Sequence, residues 1–283
     1  MIKKIFPILG IFFFLFPLSA SSQSDLSSSS EPQQMQDFNI AGYSSKGDKT
    51  WEVDGNSMDM AGNDVKISGI TAKMYGDNEN MVMTADNGRF DKETGVVHLQ
   101  DNVRAVTESG AKLKTDTLDW SQKEQLITTN DKVNITKENM TADATGLEAK
   151  PDLKEAKLEK DVVLTIDEQK GTAGSKQKNK MVVTCDGPME LNYEKQFAVF
   201  HDNVKVEGDA EQGTMVADKM TVYFSQDTKQ IDRIEAKGNV KIVRDENTSY
   251  SEGAIFTASD RRVVLTGRPK LVLFMEEELN VSP

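Results

Sequence analysis

Residues 84–103 read Thr84-Ala85-Asp86-Asn87-Gly88-Arg89-Phe90, then the polar run Asp91-Lys92-Glu93-Thr94, then Gly95-Val96-Val97-His98-Leu99-Gln100-Asp101-Asn102-Val103. Apolar and polar residues alternate with period two, the pattern of a half-buried strand rather than a helix. The stretch therefore reads as strand, hairpin turn, strand. Working outward, the phrase returns. From Asp86 to Val103 is 17 residues, and the same 17 separate Asp116 from Val133 and Glu252 from Pro269. Looser copies run from Asp143 to Val162, from Asp186 to Val204 and from Asp218 to Val240. A phrase recurring along most of a chain marks a repeat architecture, whose function resides in a continuous surface instead of one reactive cluster.

Within the copies, the fourth and sixth residues before the closing position are apolar: Val97 and Leu99, Ala198 and Phe200, Ile234 and Ala236, Val263 and Leu265. The alternation continues past the closing position with Ala105, Ile135, Leu164, Val206, Ile242 and Leu271. Polar hairpin-length runs such as Ser121–Glu124 and Ser225–Lys229 separate the strands. The fold expected is all-β, with one apolar face. That face comprises Phe90, Val97, Leu99, Val103, Leu118, Trp120, Ile127, Val133, Ile135, Phe200, Val204, Val206, Val222, Phe224, Ile234, Val240 and Ile242. Val96, His98, Gln100, His201 and Lys241 are expected to point outward, since a one-residue slip would reverse every assignment.

Of the 283 residues, 37% are hydrophobic and 7% aromatic, lean for a compact multilayered enzyme and suited to strands with one apolar face each. The net charge of −12 disfavours general binding to nucleic acid or anionic lipid surfaces. At the N-terminus, Lys3-Lys4, the apolar run Ile5–Leu18 and Ser19-Ala20-Ser21-Ser22 form the three zones of an export signal. The run contains Pro7, Gly10 and Pro17 and is shorter than the ~20 residues that span a bilayer. Residues 1–22 are read as a cleaved signal peptide, with a retained anchor as the alternative, and 23–34 as a flexible Ser/Gln-rich tether. Two modules follow, 35–167 and 181–274, joined by a polar linker at 168–180 and ended by an acidic tail at 275–283. The linker is placed where the spacing of closing valines widens, from Val162 to Val204.

Reactive chemistry is sparse. The two histidines, His98 and His201, stand five and three residues before their closing valines, on the same outward parity, and read as outward residues, not a metal pair. Cys185 stands alone, without an evident histidine partner, and reads as structural. Asp54-Gly55-Asn56 and Gly76-Asp77-Asn78-Glu79 lack the spacing of calcium loops and read as turns. Gly171-Thr172-Ala173-Gly174-Ser175-Lys176 lacks the spacing of a phosphate loop. No catalytic residue, metal site or cofactor is expected.

Ala85–Phe90 with Val97–Val103, then Leu113-Lys114-Thr115-Asp116-Thr117-Leu118-Asp119-Trp120, and the upstream Gly47–Val53, resemble the periplasmic domain of the LptC family. Val216–Phe224 and Ile234–Ile242 are similar to the OstA-like repeat of the LptA family. The resemblance implies an open β-jellyroll, two modules stacked end to end, holding lipopolysaccharide acyl chains in its groove with the sugars outside. It implies passage of that lipid from an inner-membrane ABC transporter towards an outer-membrane assembly component, in the periplasm and possible attachment to the inner membrane by the N-terminal segment. The chain departs from the family in joining both modules, which normally belong to separate proteins docking end to end.

The residues themselves are compatible with such a ligand. Burying a methylene is worth about 0.8 kcal/mol, so a long acyl chain gains on the order of 10 kcal/mol against water. Against a bilayer the gain is near zero, so a partner must drive extraction. A repetitive scaffold or adhesion protein without lipid asks for the same Val, Ile, Leu and Phe and is the alternative. A polysaccharide-cleaving β-helix would additionally need a carboxylate pair in a cleft.

Overall fold

The computed structural model describes residues 33–274 except 77–78, 122, 171–176, 209–212, 228–230 and 261, and every helix-or-strand element in that range is a strand. In chain order these are β1 (Gln33–Tyr43), β2 (Lys49–Ala61), β3 (Asp64–Tyr75), β4 (Asn80–Asp91), β5 (Val96–Thr107), β6 (Lys112–Ser121), β7 (Leu126–Lys137), β8 (Met140–Ala149) and β9 (Glu155–Lys170). They continue with β10 (Gln177–Cys185), β11 (Met189–Asn192), β12 (Phe197–Glu207), β13 (Thr214–Phe224), β14 (Ile231–Arg244), β15 (Asn247–Thr257), β16 (Arg262–Thr266) and β17 (Lys270–Val272). Successive strands pair antiparallel in a single meandering sheet. β10 and β11 are two halves of one rung, because each pairs with β9 on one side and β12 on the other. The break between them is Asp186-Gly187-Pro188, where proline has no N–H to give the ladder. β16 and β17 are likewise halves of one rung beside β15, broken at Gly267-Arg268-Pro269.

Most long strands also bend midway, and the repeated phrase marks the bend. Asp101 and Asn102 have φ of 64° and 54°, Asp202 and Asn203 of 62° and 51°, and Gly238 and Asn239 of 78° and 48°. Two consecutive left-handed residues turn the strand, and Asn, Asp and Gly are the residues that tolerate this conformation. At Gly238 there is a second requirement, since a Cβ there would lie 2.2 Å from the Asp218 carboxylate. The corner asparagine is then braced to the preceding rung: Asn203 donates to Asp186 at 2.6 Å, Asn239 to Asp218 at 2.9 Å, and Asn102 to Asp86. This brace explains the spacing read from the sequence. The Asp and the Asn-Val of one phrase belong to adjacent rungs at the same corner, separated by the length of one hairpin.

The bend changes the count of residues between rungs. From His201 opposite Lys219 to Val204 opposite Ala217, β12 advances three residues while β13 advances two. The same mismatch occurs between β5 and β6. Such bulges increase local twist and turn the strand out of line. One face of the bent sheet is apolar throughout and joins into a single core running from Phe38 on β1 to Ala254 on β15. Leu99, Leu113, Leu118, Ile127 and Phe200 in it are 0% exposed. Among the described residues no helix or second sheet is present to cover them, so the two arms of each bent strand cover one another. The result is an all-β jellyroll with a closed corner side and a mouth where the hairpin turns meet.

Two expectations are corrected. Where described, residues 168–180 are not a linker but the arms of a hairpin: β9 and β10 pair from Val162 opposite Cys185 to Lys170 opposite Gln177. Beyond Ile166 and Met181 these arms carry no apolar pattern, so composition cannot separate them from a linker. Gln33–Gln36, placed in or beside the tether, open β1, with Gln33 opposite Met60. The expected signal or anchor at 1–22, most of the tether, the phosphate-loop-like Gly171–Lys176 and the tail at 275–283 lie outside the described residues. Val263 and Leu271 follow the alternation but are 45% and 61% exposed, because among the described residues the last rung has a neighbour on one side only.

The corner predicts a ranked stability series. Replacing Asn203 with valine forces a β-branched residue into the left-handed region and removes the brace, costing about 2–3 kcal/mol in urea unfolding. Glycine at the same position loses only the hydrogen bond, about 1 kcal/mol. Equal losses for the two variants would show that backbone conformation is not what the corner requires.

Candidate functional site

The inner face is built rung by rung from the positions flanking each corner. Leu99 and Val103, four residues apart on β5, both point inward because two extra residues fill the corner between them. On β6 the inward residues across the corner are Thr115 and Leu118, only three apart, so the alternation changes phase. β7, β12 and β14 follow β5, with Thr129/Val133, Phe200/Val204 and Ala236/Val240. β4, β8 and β13 follow β6, with Ala85/Gly88, Ala144/Leu147 and Ala217/Met220.

All seventeen residues named from the sequence lie in this one core. Leu99, Val103, Leu118, Trp120, Ile127, Val133, Phe200, Val204, Val206, Val222, Ile234 and Val240 are buried. Phe90, Val97, Ile135, Phe224 and Ile242 are half-buried against it, each close to a strand end and hence to the mouth. The sequence reading missed a comparable set on the first four strands and among the methionines: Phe38, Met58, Ile67, Ile70, Met74, Met81 and Met83, with Met189 and Met220 further on. Their signal is the alternation in Met81-Val82-Met83-Thr84-Ala85, which precedes the acidic residue of the phrase and ends on no closing valine. Methionine is unbranched and polarizable, so a wall rich in it adapts to irregular shapes.

At the mouth, turns from the two margins touch. Tyr193, in the turn between β11 and β12, stacks under the Lys137 ammonium, 4.1 Å from its ring centre. Lys137 ends β7 on the opposite margin, and its ammonium also donates to Ser109 Oγ at 3.1 Å. Ser109 in turn donates its backbone N–H to Glu79. Against a desolvation that raises it, the hydrogen bonds from Ser109 hold the Glu79 carboxyl below its usual value. Partial burial, with Glu138 and Glu79 nearby, raises the Tyr193 phenol. Leu153, in the turn between β8 and β9, is 8% exposed although polar residues surround it in sequence. These contacts latch the mouth over the apolar interior.

The outer face carries paired polar residues beside exposed Val82, Val106 and Val163. His98 Nδ1 meets Asp119 on the next strand, and Arg89 on the strand before it meets Asp64 at 2.5 Å. His201 faces Glu190 at 3.7 Å. Hydrogen bonds from Lys49 and Lys73 hold the Glu52 carboxyl down to about 2. Gln100 and Lys241 are exposed. Cys185 lies on the inner face, and burial pushes its thiol up to about 11, leaving it protonated and inert at neutral pH.

With this geometry established, similarity to known proteins is informative. Residues 5–167 match the family described as lipopolysaccharide-assembly, LptC-related, and residues 187–280 match the one described as LptA/(LptD N-terminal domain) LPS transport protein. No curated protein matches the chain. The interval between the two matched ranges, 168–186, takes in the end of β9 and all of β10, which pair with each other in the sheet.

The latch and the buried thiol together give a measurable opening. In native protein at pH 8, Cys185 is expected to resist maleimide, whereas urea-unfolded chain labels fully. Replacing Lys137 with glutamine removes the cation from the Tyr193 ring and should speed native labelling about twofold to fivefold. An unchanged rate would show that this contact does not hold the mouth.

Proposed function

The chain belongs to the LptC-related lipopolysaccharide-assembly family and is a lipopolysaccharide transport protein; from this premise we propose that it is a periplasmic bridge, taking the lipid from an inner-membrane ABC transporter and passing it towards the outer membrane along its apolar interior. The acyl chains lie between the arms and the sugars remain outside the mouth. No covalent step is required of the chain. The observation that carries this reading is the uninterrupted apolar face, continuous from Phe38 to Ala254 through both matched regions. Lipid moving along such a face exchanges one apolar neighbour for the next, with little change in free energy at each step.

The two ends of the sheet support the partner assignments. Among the described residues β1 pairs only with β2, and the β16/β17 rung only with β15, so each end of the described sheet offers unpaired backbone groups. At the C-terminal end these are joined by Leu271, Leu273 and Phe274, each more than 60% exposed. An unprotected apolar edge is suited to continuation by another sheet. The N-terminal end is assigned to the transporter side and the C-terminal end to the outer-membrane side, and inner-membrane attachment through the N-terminal segment fits this polarity.

A photo-crosslinking amino acid tests the path. Placed at Leu99, Phe200 or Ile234 it is expected to capture lipopolysaccharide when the transporter and ATP are present, while at Gln100 or Lys241 it captures little. Introducing a charge at Phe200 should abolish capture further along, since burying an unpaired charge costs several kcal/mol. Equal capture on both faces, or none on either, would favour a lipid-free scaffold.

A further inference from the structure

Most buried polar groups in the interior have partners, but two on the inner face of β6 do not. Trp120 is 3% exposed and its indole Nε1–H has no hydrogen-bond acceptor; Thr115, on the other arm of the same strand, is 8% exposed with its hydroxyl unpartnered. The one other such atom among the described residues, Nε2 of His201, lies on the outer face near Glu190. A buried donor without an acceptor is destabilising, so a native structure that keeps one calls for an explanation. Phenylalanine would fill the same apolar position without that cost.

The position of Trp120 supplies an explanation. It sits one residue from the end of β6, with Val97 and Ile127 opposite it on the flanking strands. Val97 is half-buried there, whereas Ile127 and Leu118 are fully buried. The indole therefore stands at the boundary where the apolar interior gives way to the mouth. A lipid with its tails inside and its polar head outside places its ester or amide linkages at this depth. An indole N–H donates and cannot accept, so it matches a carbonyl oxygen and gains nothing from a plain hydrocarbon.

Building on the lipid-carrying reading above, we propose that Trp120 is a specificity residue that donates a hydrogen bond to the linkage carbonyl of an acyl chain when the arms part. The interior thereby recognises ester- or amide-linked acyl lipids and distinguishes them from chains lacking a carbonyl at that depth. In the closed state the same N–H is left unpaired, which favours the lipid-loaded state over the closed one.

The chain has two tryptophans, Trp51 and Trp120, so its indole N–H spectrum contains two resonances that a Trp120→Phe variant assigns. Full-length protein is titrated with purified lipid A in detergent micelles, and separately with a dialkyl ether lipid of matched chain length. Lipid A is expected to move the Trp120 indole proton downfield, and the ether lipid to leave it near its starting position. Trp120→Phe is expected to weaken lipid A binding between about twofold and tenfold while leaving ether-lipid binding unchanged. The wild-type spectra decide the matter even if that variant folds poorly. Binding of both lipids with no differential shift, or an indole that exchanges only with water in every state, overturns the role of Trp120 and leaves the groove reading intact. Failure of the wild-type chain to bind either lipid overturns both.

Discussion

The structure depends on the braced corner. A single antiparallel sheet with one apolar face cannot exist alone in water, because that face has nothing to lie against. Bending the rungs, with left-handed pairs at the corners of β5, β12 and β14, folds the sheet over itself, so one arm supplies the cover for the other. Each such pair places Asn, with Asp or Gly before it, in left-handed backbone, and the Asn–Asp hydrogen bond to the preceding rung offsets part of that cost. The acidic residues that dominate the charge of the chain thus have a local structural use along the closed side. They also keep that ridge hydrated, away from the apolar strip a few residues distant.

Closure raises a functional tension. The inner side chains are packed on one another, with several at 0% exposure, so an acyl chain is admitted only when the arms separate. Separation exposes apolar surface at about 25 cal/mol per Å² unless lipid takes the place of the departing arm. On the proposed path, lipid and opposing arm are therefore competitors for the same surface. Such competition suits a carrier, which must hold its cargo without trapping it, and it makes the contacts at the mouth as important as the lining. Lys137 and Tyr193 join the margins through an interaction worth about 1 kcal/mol, small enough to yield to a ligand. Methionines at Met58, Met81, Met83 and Met220 let the wall conform to whichever surface occupies it.

Joining the LptC-related and LptA-related regions in one chain removes a docking step. Between separate proteins the two sheets would have to find each other through exposed edges, with the association cost that entails. Here β9 pairs with β10 and β11 through backbone hydrogen bonds set by the chain itself, and the apolar face crosses the junction without a gap. Among the described residues the edges that remain free are those of the first strand and the last rung. Exposed Leu273 and Phe274 at the latter would be a liability in an isolated protein and are intelligible as a surface meant to be covered.

Period-two alternation in Val97-His98-Leu99, Ala198-Val199-Phe200 and Ile234-Glu235-Ala236 by itself determined the strands and which side of them is buried, since side-chain direction in a strand follows directly from residue parity. The Asp-to-Val spacing determined the hairpin repeat. What sequence could not disclose was where parity slips. Thr115 and Leu118 both face inward only because β6 counts three residues across a corner that β5 crosses in four, and this mismatch exists only between paired strands. The pairing of 168–170 with 177–179 was likewise invisible, because backbone pairing there proceeds without an apolar pattern to announce it. Contacts between residues remote in sequence were decided by the tertiary structure alone. Lys137 reaches Tyr193, and the Trp120 indole is left without an acceptor, as consequences of how two arms of a bent sheet close, which no local pattern encodes.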